Sequence, residues 1–477
     1  MTSTHLPPLV VDLDGTLLRS DLLLETGIAF LRNRPLQMLS PLIWLFRGKA
    51  YLKKKLAEAV DIDVSVLPYN MEVIALIKAE RIRGRKIVLA TASYYTLAES
   101  ISKELELFDL VLATDGECNL SGHRKRDALI ERFGEQGFDY VGNANEDLAV
   151  WASARSAYVV NPGRGVERRA RLQENVKCVF NSNAAGLKDW LGAIRLHQWV
   201  KNALIFVPLL AAHQLTNPPL LWQGVLAFLL FGLCASSVYI LNDLLDLADD
   251  RHHASKCHRA FAAGHLSISA GLITFPVLLL SAFAGAYLWL PLQFSGVLAA
   301  YYGLTLAYSL YLKRKMGVDV ITLAILYTIR IIAGTFAMSM QLTFWMLAFS
   351  MFMFLSLALV KRYAELKDAV RKGHEHKTRG RGYYPADLEM ISSLGASSGY
   401  LAVMVLALYI HDQSTIGLYS RPQVIWLACP LLLFWITRVW MLSHRGEMHD
   451  DPVVFAIKDR VSLIVGALFG LVFWVAA

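Results

Sequence analysis

The chain has 477 residues, too many for one ordinary domain, and 55% of them are hydrophobic. The net charge of +8 is compatible with a nucleic-acid partner. However, the basic residues cluster beside long apolar segments, which is typical of a membrane protein and argues against nucleic acid. The five cysteines show neither metal-ligand spacing nor a disulfide framework, so we expect a reducing compartment.

Hydropathy divides the chain into two predicted domains. Residues 1–190 have short apolar strands and charged helices, which predicts a soluble α/β domain of Rossmann-like type. Residues 191–477 are dominated by apolar runs near membrane-span length, which predicts an all-α transmembrane bundle. The first residues lack the basic segment of a secretory signal, so the first domain is predicted to stay in the cytoplasm.

The first predicted strand ends in the sequence Asp12-Leu13-Asp14-Gly15-Thr16. One carboxylate at a strand end can attack phosphorus, and a second can protonate the leaving oxygen and then activate water. The pattern resembles motif one of the haloacid dehalogenase superfamily of phosphotransferases. The resemblance assigns Asp12 as the nucleophile and Asp14 as the acid and base.

Later segments fit the other motifs of that superfamily. Thr91 follows an apolar strand and would bind the phosphoryl group, and Lys125 would neutralise it. Asn143 stands where the family usually has aspartate, so the sequence leaves open whether the phosphatase is active or degenerate. The resemblance implies Mg²⁺ held by Asp12, Asp14, Asn143 and Asp147.

The insertion at about residues 20–70 is predicted to form a small helical cap. It contains the apolar run 38–46, followed by Arg47 and four nearby lysines. The run is too short to span a bilayer, and its composition suits a membrane surface. A helix in the core of the cap with one solvated face fits equally well.

The second half is predicted to cross the membrane nine times, near residues 201–217, 220–240, 269–289, 294–312, 318–338, 342–360, 396–412, 422–442 and 460–476. With nine spans, nearly all the basic loops fall on the side of the N-terminal domain. The pattern therefore predicts a bacterial-type inner membrane protein with the C-terminus on the opposite side.

An acidic segment, Asn242 to Arg251, directly follows the second predicted span. If the helix continues, Asp243, Asp246 and Asp250 share one face, where Mg²⁺ holding a diphosphate would relieve their repulsion. The segment resembles the first Asp-rich motif of the UbiA superfamily of intramembrane prenyltransferases. This resemblance implies catalytic and metal-binding roles for the three aspartates, with Asn242 as a neutral ligand.

Two flanking segments, residues 197–202 and 449–455, resemble the decaprenyl-phosphate phosphoribosyltransferase branch of that superfamily. The branch joins 5-phosphoribosyl diphosphate to a polyprenyl phosphate. At Ala254 and Ala260 this chain lacks the prolines usual in the branch. Nine basic or amide residues become candidate substrate ligands, namely Lys201, Asn242, Arg251, Lys256, Arg259, Lys313, Arg330, Lys361 and Arg362.

Several of these positions admit other interpretations. Asp319 is a candidate second metal ligand, and Asp451 belongs to a further acidic pair with Asp450. Lys313 could instead anchor the chain at the interface, as could Lys361. Arg330 lies deep in a predicted span, where it would either contact substrate or form a structural ion pair.

Together the motifs predict phosphoribosyl transfer to a lipid phosphate, followed by removal of the 5-phosphate by the N-terminal domain. Mg²⁺ is expected in both domains. Two rivals are prenyl transfer to an aromatic or other small acceptor, and a lipid-phosphate carrier with a regulatory soluble domain. The sequence leaves a homo-oligomer open.

Overall fold

The computed structural model describes residues 6–115, 119–181, 185–371, 382–412, 419–448 and 451–476. The chain forms two compact units. The first comprises Met1–Ile194 and Tyr239–Phe275, and the second comprises Arg195–Val238 and Pro276–Ala477. The acidic segment, which the sequence analysis places after the predicted boundary near residue 190, lies in the first compact unit.

The first unit contains a six-stranded parallel sheet in the order β3-β2-β1-β4-β5-β6. Its strands are β1 Leu9–Val11, β2 Ile87–Tyr94, β3 Leu110–Thr114, β4 Asp139–Gly142, β5 Ser156–Val160 and β6 Val176–Phe180. In β1, Leu9 and Val11 join one hydrophobic cluster and Val10 joins another, because successive strand residues face opposite sides of the sheet. Burial on both faces is typical of a parallel sheet and confirms the predicted α/β fold.

Helices surround this sheet. The segment between β1 and β2 holds α1 Leu22–Asn33, α2 Ser40–Phe46, α3 Lys49–Ala59 and α4 Met71–Ile82. The first three correspond to the helical cap that the sequence predicts. The later helices are α5 Tyr95–Leu105, α6 His123–Phe133, α7 Leu148–Ser153, α8 Val166–Arg171 and α9 Leu187–Ala193.

The second unit is helical. After a 3-10 segment, Leu196–Phe206, come α10 Val207–Ala211, α11 Pro218–Leu245, α12 Leu247–His252, α13 Ile268–Trp289, α14 Leu292–Leu310, α15 Val318–Ala337, α16 Phe344–Arg371, α17 Leu388–Ile410, α18 Ala428–Arg445, α19 Pro452–Lys458 and α20 Arg460–Ala476. The end of α11, α12 and the start of α13 belong to the first unit. The main core of the second unit is built largely from α15 to α18.

Among the described residues, six helical segments are long and apolar enough to cross a membrane. A seventh span results if α19 and α20, bent by 82°, count as one. The structure supports a multi-pass membrane domain but does not confirm nine spans. The predicted first span is divided between the 3-10 segment and the five-residue α10, and α14 is not among the six.

Candidate active sites

The first site lies at the carboxyl end of β1, at the middle of the sheet. Asp12 follows this strand directly and is buried. The Lys125 ammonium, from the first turn of α6, donates a hydrogen bond of 2.7 Å to Asp12 Oδ1. The neighbours β2 and β4 end at the same edge of the sheet, where α/β proteins bind ligands. The structure therefore brings the predicted nucleophile and the predicted phosphate-binding lysine together.

Lys125 also connects Asp12 to Asp147. Its ammonium donates to the Tyr140 hydroxyl at 3.0 Å, and that hydroxyl donates to Asp147 Oδ1 at 2.8 Å. Asp147 Oδ2 accepts hydrogen bonds from the backbone N–H groups of Asn143 and Ala144, at 2.9 and 3.0 Å. Asp147 thus fixes the loop after β4. The sequence analysis did not identify Tyr140, which reads as an ordinary strand residue.

Asp14 is held at the opposite side of the loop. Its Oδ1 accepts a hydrogen bond of 2.8 Å from the backbone N–H of Leu22, at the start of α1. Its Oδ2 accepts one of 2.6 Å from the Ser93 hydroxyl, whereas the Thr91 hydroxyl is 3.5 Å away. Ser93 was missed by the sequence analysis, although it lies two residues beyond Thr91 in the same strand.

Lys53, from cap helix α3, also reaches this site. Its ammonium donates to the carbonyl oxygen of Ala92 at 2.6 Å and to Asn119 Oδ1 at 3.0 Å. Burial lowers the pKa of Lys53, while the nearby Asp14 carboxylate acts in the opposite direction. Lys53 belongs to the basic cluster that follows the apolar run of the cap. The sequence does not show which lysine of the run 53–55 contacts the residues of this site.

The electrostatics of the site favour a bound cation. Burial raises the pKa of Asp12 to about 7 despite the opposing effect of Lys125, and burial also raises the pKa of Asp14. Asn143 lies against the same loop, since a Cβ built on Gly15 would be 2.1 Å from its Nδ2 atom. Gly15 has φ +75°, so glycine suits both the turn and this close approach.

The candidate metal ligands at the first site are carboxylate and amide oxygens, which suit Mg²⁺. Within the described ranges, no three His, Cys, Asp or Glu side chains are grouped closely enough to hold a metal ion. A cation at the first site would therefore use the Asn143 amide beside the carboxylates. At the acidic segment it would draw on fewer than three carboxylates in the arrangement observed.

The acidic segment is interrupted rather than a continuous helix. The helix α11 ends at Leu245 and α12 begins at Leu247, although Asp246 N–H still donates to Asn242 O at 2.9 Å. Asp243 and Asp250 are buried and converge on one guanidinium, with Arg259 Nη1 3.1 Å from Asp243 Oδ1 and 2.7 Å from Asp250 Oδ2. Burial raises the pKa of Asp250, and Arg259 counteracts this effect.

Asp246 has a different partner. The guanidinium of Arg32, in cap helix α1, is 3.6 Å from Asp246 Oδ1 and hydrogen-bonds Asp249. The sequence places Asp243, Asp246 and Asp250 on one face only if the helix continues, and the structure interrupts the helix at Asp246.

Arg251 forms a bidentate ion pair with Glu25 of α1. Its Nη2 is 2.6 Å from Glu25 Oε1 and its Nη1 is 3.1 Å from Oε2, with both side chains buried. Its Nε donates to the Ala262 carbonyl at 3.0 Å. Lys256 is half-exposed, with Nζ 3.9 Å from Asp250 Oδ1. Of the two predicted ligands, Arg251 thus contacts the cap and Lys256 stays beside the aspartates.

Within the second unit, three predicted substrate ligands lie around Asp451 and Tyr327. Lys201 Nζ donates to Asp451 Oδ2 at 2.8 Å, and Lys361 Nζ donates to the same oxygen at 3.2 Å. The Tyr327 hydroxyl donates to Asp451 Oδ1 at 3.0 Å. Arg330 lies against the opposite part of this tyrosine, with its guanidinium carbon 5.8 Å from the ring centroid. Positive charge is in excess in this cluster, which suits an anion.

Arg330 is enclosed mainly by aromatic rings. Its guanidinium carbon is 5.2 Å from the Phe231 ring and 5.1 Å from the Tyr301 ring, and its Nε donates to Asn202 Oδ1 at 3.1 Å. Among the residues that the structure describes, no carboxylate pairs with it. Cation–π contacts rather than an ion pair therefore stabilise this buried charge.

Asp319 and Arg362 pair with each other. Arg362 Nε is 2.9 Å from Asp319 Oδ2, both side chains are buried, and the Tyr383 hydroxyl donates to Asp319 Oδ1. Lys313 is half-buried in the single 3-10 turn Leu312–Arg314. The other member of the predicted acidic pair, Asp450, lies outside the described residues, as does His449.

The described spans and clusters define a multi-pass membrane enzyme that also carries a parallel-sheet α/β domain. Residues 203–464 match the UbiA prenyltransferase family, and the chain belongs to that family. The uncharacterized protein y4nM of Sinorhizobium fredii is 38% identical to it, over 98% of this chain and 91% of that protein.

Two further similarities concern the separate halves. A decaprenyl-phosphate phosphoribosyltransferase of Mycobacterium tuberculosis is 31% identical over 274 residues, covering 56% of this chain and 87% of that protein. A solved structure of a substrate-bound phosphoserine phosphatase covers 38% of this chain and 95% of its own, with 13% identity and a TM-score of 0.27.

Proposed function

We propose that the membrane domain transfers 5-phosphoribosyl from phosphoribosyl diphosphate to a polyprenyl phosphate. An oxygen of the lipid phosphate forms the new bond to ribose C1, and the C1–O bond to diphosphate breaks. The lipid phosphate is already ionised, so the step needs no strong general base. The similarity to a decaprenyl-phosphate phosphoribosyltransferase and the phosphatase domain on the same chain support this reaction over prenyl transfer.

In this proposal the acidic segment binds the leaving diphosphate. Asp243 and Asp250 both contact Arg259, which shows that this pair of carboxylates needs a positive charge nearby. Mg²⁺ bound by either carboxylate would neutralise charge on the phosphate oxygens. Asn242, Lys256 and Arg259 complete the proposed ligand set. Asp246 contacts Arg32 in the arrangement observed and would join the set only on leaving that partner. Within the second unit, the cluster of Lys201, Lys361 and Arg330 is a separate candidate for binding a substrate phosphate.

We further propose that the N-terminal domain hydrolyses the 5-phosphate of that product. Asp12 attacks phosphorus and the P–O bond to the ribose breaks, giving an aspartyl-phosphate and polyprenylphosphoryl ribose. Asp14 gives its proton to the departing oxygen. It then takes a proton from the water that attacks phosphorus, which breaks the bond between Asp12 and phosphorus and releases phosphate. Lys125 stabilises the charge on the phosphoryl group, and Thr91 and Ser93 line its position.

The observation that carries the coupled function is that one compact unit contains both the Asp12–Lys125 pair and the acidic segment. Buried Glu25 of the cap binds Arg251 of that segment. The second reaction has its substrate supplied by the first, and only phosphoribosyl transfer leaves a phosphate monoester for this domain.

The test uses the purified full-length protein with decaprenyl phosphate, Mg²⁺ and phosphoribosyl diphosphate, and measures the mass of the lipid product. We expect decaprenylphosphoryl ribose from the wild type, its 5-phosphate from Asp12→Asn, and no ribosylated lipid from Asp243→Asn. A 5-phosphate that persists in the wild type and is unchanged by Asp12→Asn would refute the second step. Turnover of labelled polyprenyl diphosphate instead would favour prenyl transfer.

A further inference from the structure

The cap exposes an unusual number of large apolar side chains. Leu36 and Phe46 are 100% and 92% exposed, and five others between them are 46–66% exposed. We call this set the apolar patch, and its members are Leu36, Met38, Leu39, Leu42, Ile43, Leu45 and Phe46. Contiguous exposed apolar surface of this kind marks an interaction site rather than ordinary protein surface.

Four members of the patch, Leu42, Ile43, Leu45 and Phe46, lie on α2. Trp44, on the other side of α2, packs edge-on against the buried Phe30 ring with centroids 5.2 Å apart. Phe30 belongs to the small core of the cap with Leu52 and Leu56. One side of α2 is thus anchored to the cap while the other remains uncovered, so the patch does not form the core of the cap.

The charged residues around the apolar patch favour one class of partner. Between Glu25 and Glu58 the sequence contains no acidic residue. Exposed Arg34 precedes the patch, and exposed Arg47 and Lys49 follow it. Apolar side chains bordered by cations match a bilayer surface with anionic headgroups, which attract basic side chains and accept apolar ones below them.

The apolar helical stretch Pro35–Phe46 is too short to span a membrane, whereas six helical segments among the described residues are long enough. The unit that contains the cap also contains the ends of two of these segments, residues 239–245 and 268–275. We propose that the apolar patch inserts into the interface of the bilayer that holds the chain's own spans, and that it anchors the phosphatase cap there.

The proposal has a consequence for substrate choice, which rests on the proposed function. The turn at Gly48, with φ +107°, joins α2 directly to α3, the helix whose Lys53 reaches the phosphatase site. An α2 fixed at the interface keeps this site beside lipid headgroups. The substrate class is then a phosphate monoester carried by a lipid rather than one free in solution.

Insertion can be measured without any enzyme assay. The full-length chain, with its five native cysteines replaced, receives one cysteine at Leu42 or, as control, at exposed Leu172 outside the cap. Each is labelled with an environment-sensitive fluorophore and placed in nanodiscs of phosphatidylcholine and phosphatidylglycerol. We expect acyl-chain spin labels to quench the Leu42 probe and aqueous iodide to quench the Leu172 probe.

A second variant, Leu42→Glu with Ile43→Glu, alters exposed side chains and leaves the anchored face intact. Hydrogen exchange over residues 36–46 in nanodiscs should rise, and hydrolysis of a lipid-linked phosphate should fall about tenfold, because two inserted side chains are lost. Hydrolysis of soluble p-nitrophenyl phosphate should not change. If neither substrate is hydrolysed, the proposed phosphatase function fails, while the quenching result still decides insertion.

Two results would overturn the proposal. One is equal iodide quenching at Leu42 and Leu172 with no lipid quenching, which would place the patch in water. The other is disulfide crosslinking between copies through the Leu42→Cys position, with lipid quenching absent, which would make the patch a contact between two chains.

Discussion

Lys53 is a side chain of the cap that reaches the proposed phosphatase site at the edge of the sheet. Replacing Lys53 with Met removes its hydrogen bonds to the Ala92 carbonyl and Asn119, and with them a positive charge near Asp14. We expect KM for the phosphorylated substrate to rise about tenfold, as for a lost charge-assisted hydrogen bond. Steady-state kinetics in nanodiscs would measure this change.

The matched control is Lys54→Met, at the next position of the same helix, which should leave KM within about twofold of the wild type. If Lys53→Met and Lys54→Met have equal effects, the basic run acts only through its total charge. The role of Lys53 at the site would then be excluded.

Asn143 tests whether the missing carboxylate limits the phosphatase. Asn143→Asp keeps the size of the side chain beside Gly15 and adds a negative charge to the proposed cation ligands. We expect half-maximal phosphatase activity at about tenfold less Mg²⁺, because affinity for hard cations rises with ligand charge. A Mg²⁺ titration of the wild type and the variant measures this. An unchanged midpoint would show that Asn143 does not bind the ion.

Some residues at the proposed phosphatase site could be predicted from nearby sequence, and others could not. Asp12 and Lys125 could be predicted to meet, because each follows a recognisable strand or precedes a helix within known motifs. Tyr140, Ser93 and Lys53 could not. Their contacts depend on strand register and on the packing of α3, and neither is visible in the sequence.

At the scale of elements, the Glu25–Arg251 pair links cap helix α1 to helix α12 within the first unit. Both side chains are about 5% exposed, so Glu25→Gln leaves a buried guanidinium without its counter-charge. We expect a loss of roughly 3–5 kcal/mol in the unfolding free energy of this unit. Pulse proteolysis in urea, read at a site within residues 1–194, measures this loss.

The control is Glu167→Gln, which breaks the half-exposed Glu167–Arg171 pair on α8. Exposed ion pairs of this kind contribute about 0.2–1 kcal/mol, so little change is expected. Equal, small effects of the two substitutions would mean that the Glu25–Arg251 pair does not stabilise the unit.

The acidic segment marks the limit of periodicity as a guide to elements. The spacing of Asp243, Asp246 and Asp250 correctly indicated a helical region at the end of a long apolar helix. The break at Asp246 follows from tertiary partners, since Arg259 binds Asp243 and Asp250 while Arg32 binds Asp246 and Asp249. The count of nine spans is not confirmed, and at the first predicted span Leu196–Phe206 forms a 3-10 segment instead of an α-helix.

At the scale of the whole molecule, hydropathy predicts one boundary near residue 190, whereas the first compact unit also includes residues 239–275. Residues 239–275 pack with the N-terminal half because charged groups of the cap, including Glu25 and Arg32, find partners there. Hydropathy reports which segments prefer lipid. It carries no information about ion pairs between segments more than 200 residues apart.

This organisation predicts that the fragment 1–194 is less stable than the same residues in the full chain. Without Arg251 the fragment leaves Glu25 unpaired, and it exposes apolar surface of α1 that faces Leu244 and Leu247 around the cavity they share. We expect proteolysis to reveal a lower unfolding free energy for the fragment, by a few kcal/mol.

The effect of Glu25→Gln separates this cause from general truncation damage. In the full chain the substitution removes the counter-charge of Arg251 and should destabilise the unit. In the fragment there is no Arg251, so the same substitution should be neutral or slightly stabilising, because it removes an unpaired charge. A double comparison of both chains with and without Glu25→Gln measures the coupling energy directly. Equal destabilisation by Glu25→Gln in the fragment and in the full chain would show that Glu25 does not stabilise the unit through Arg251.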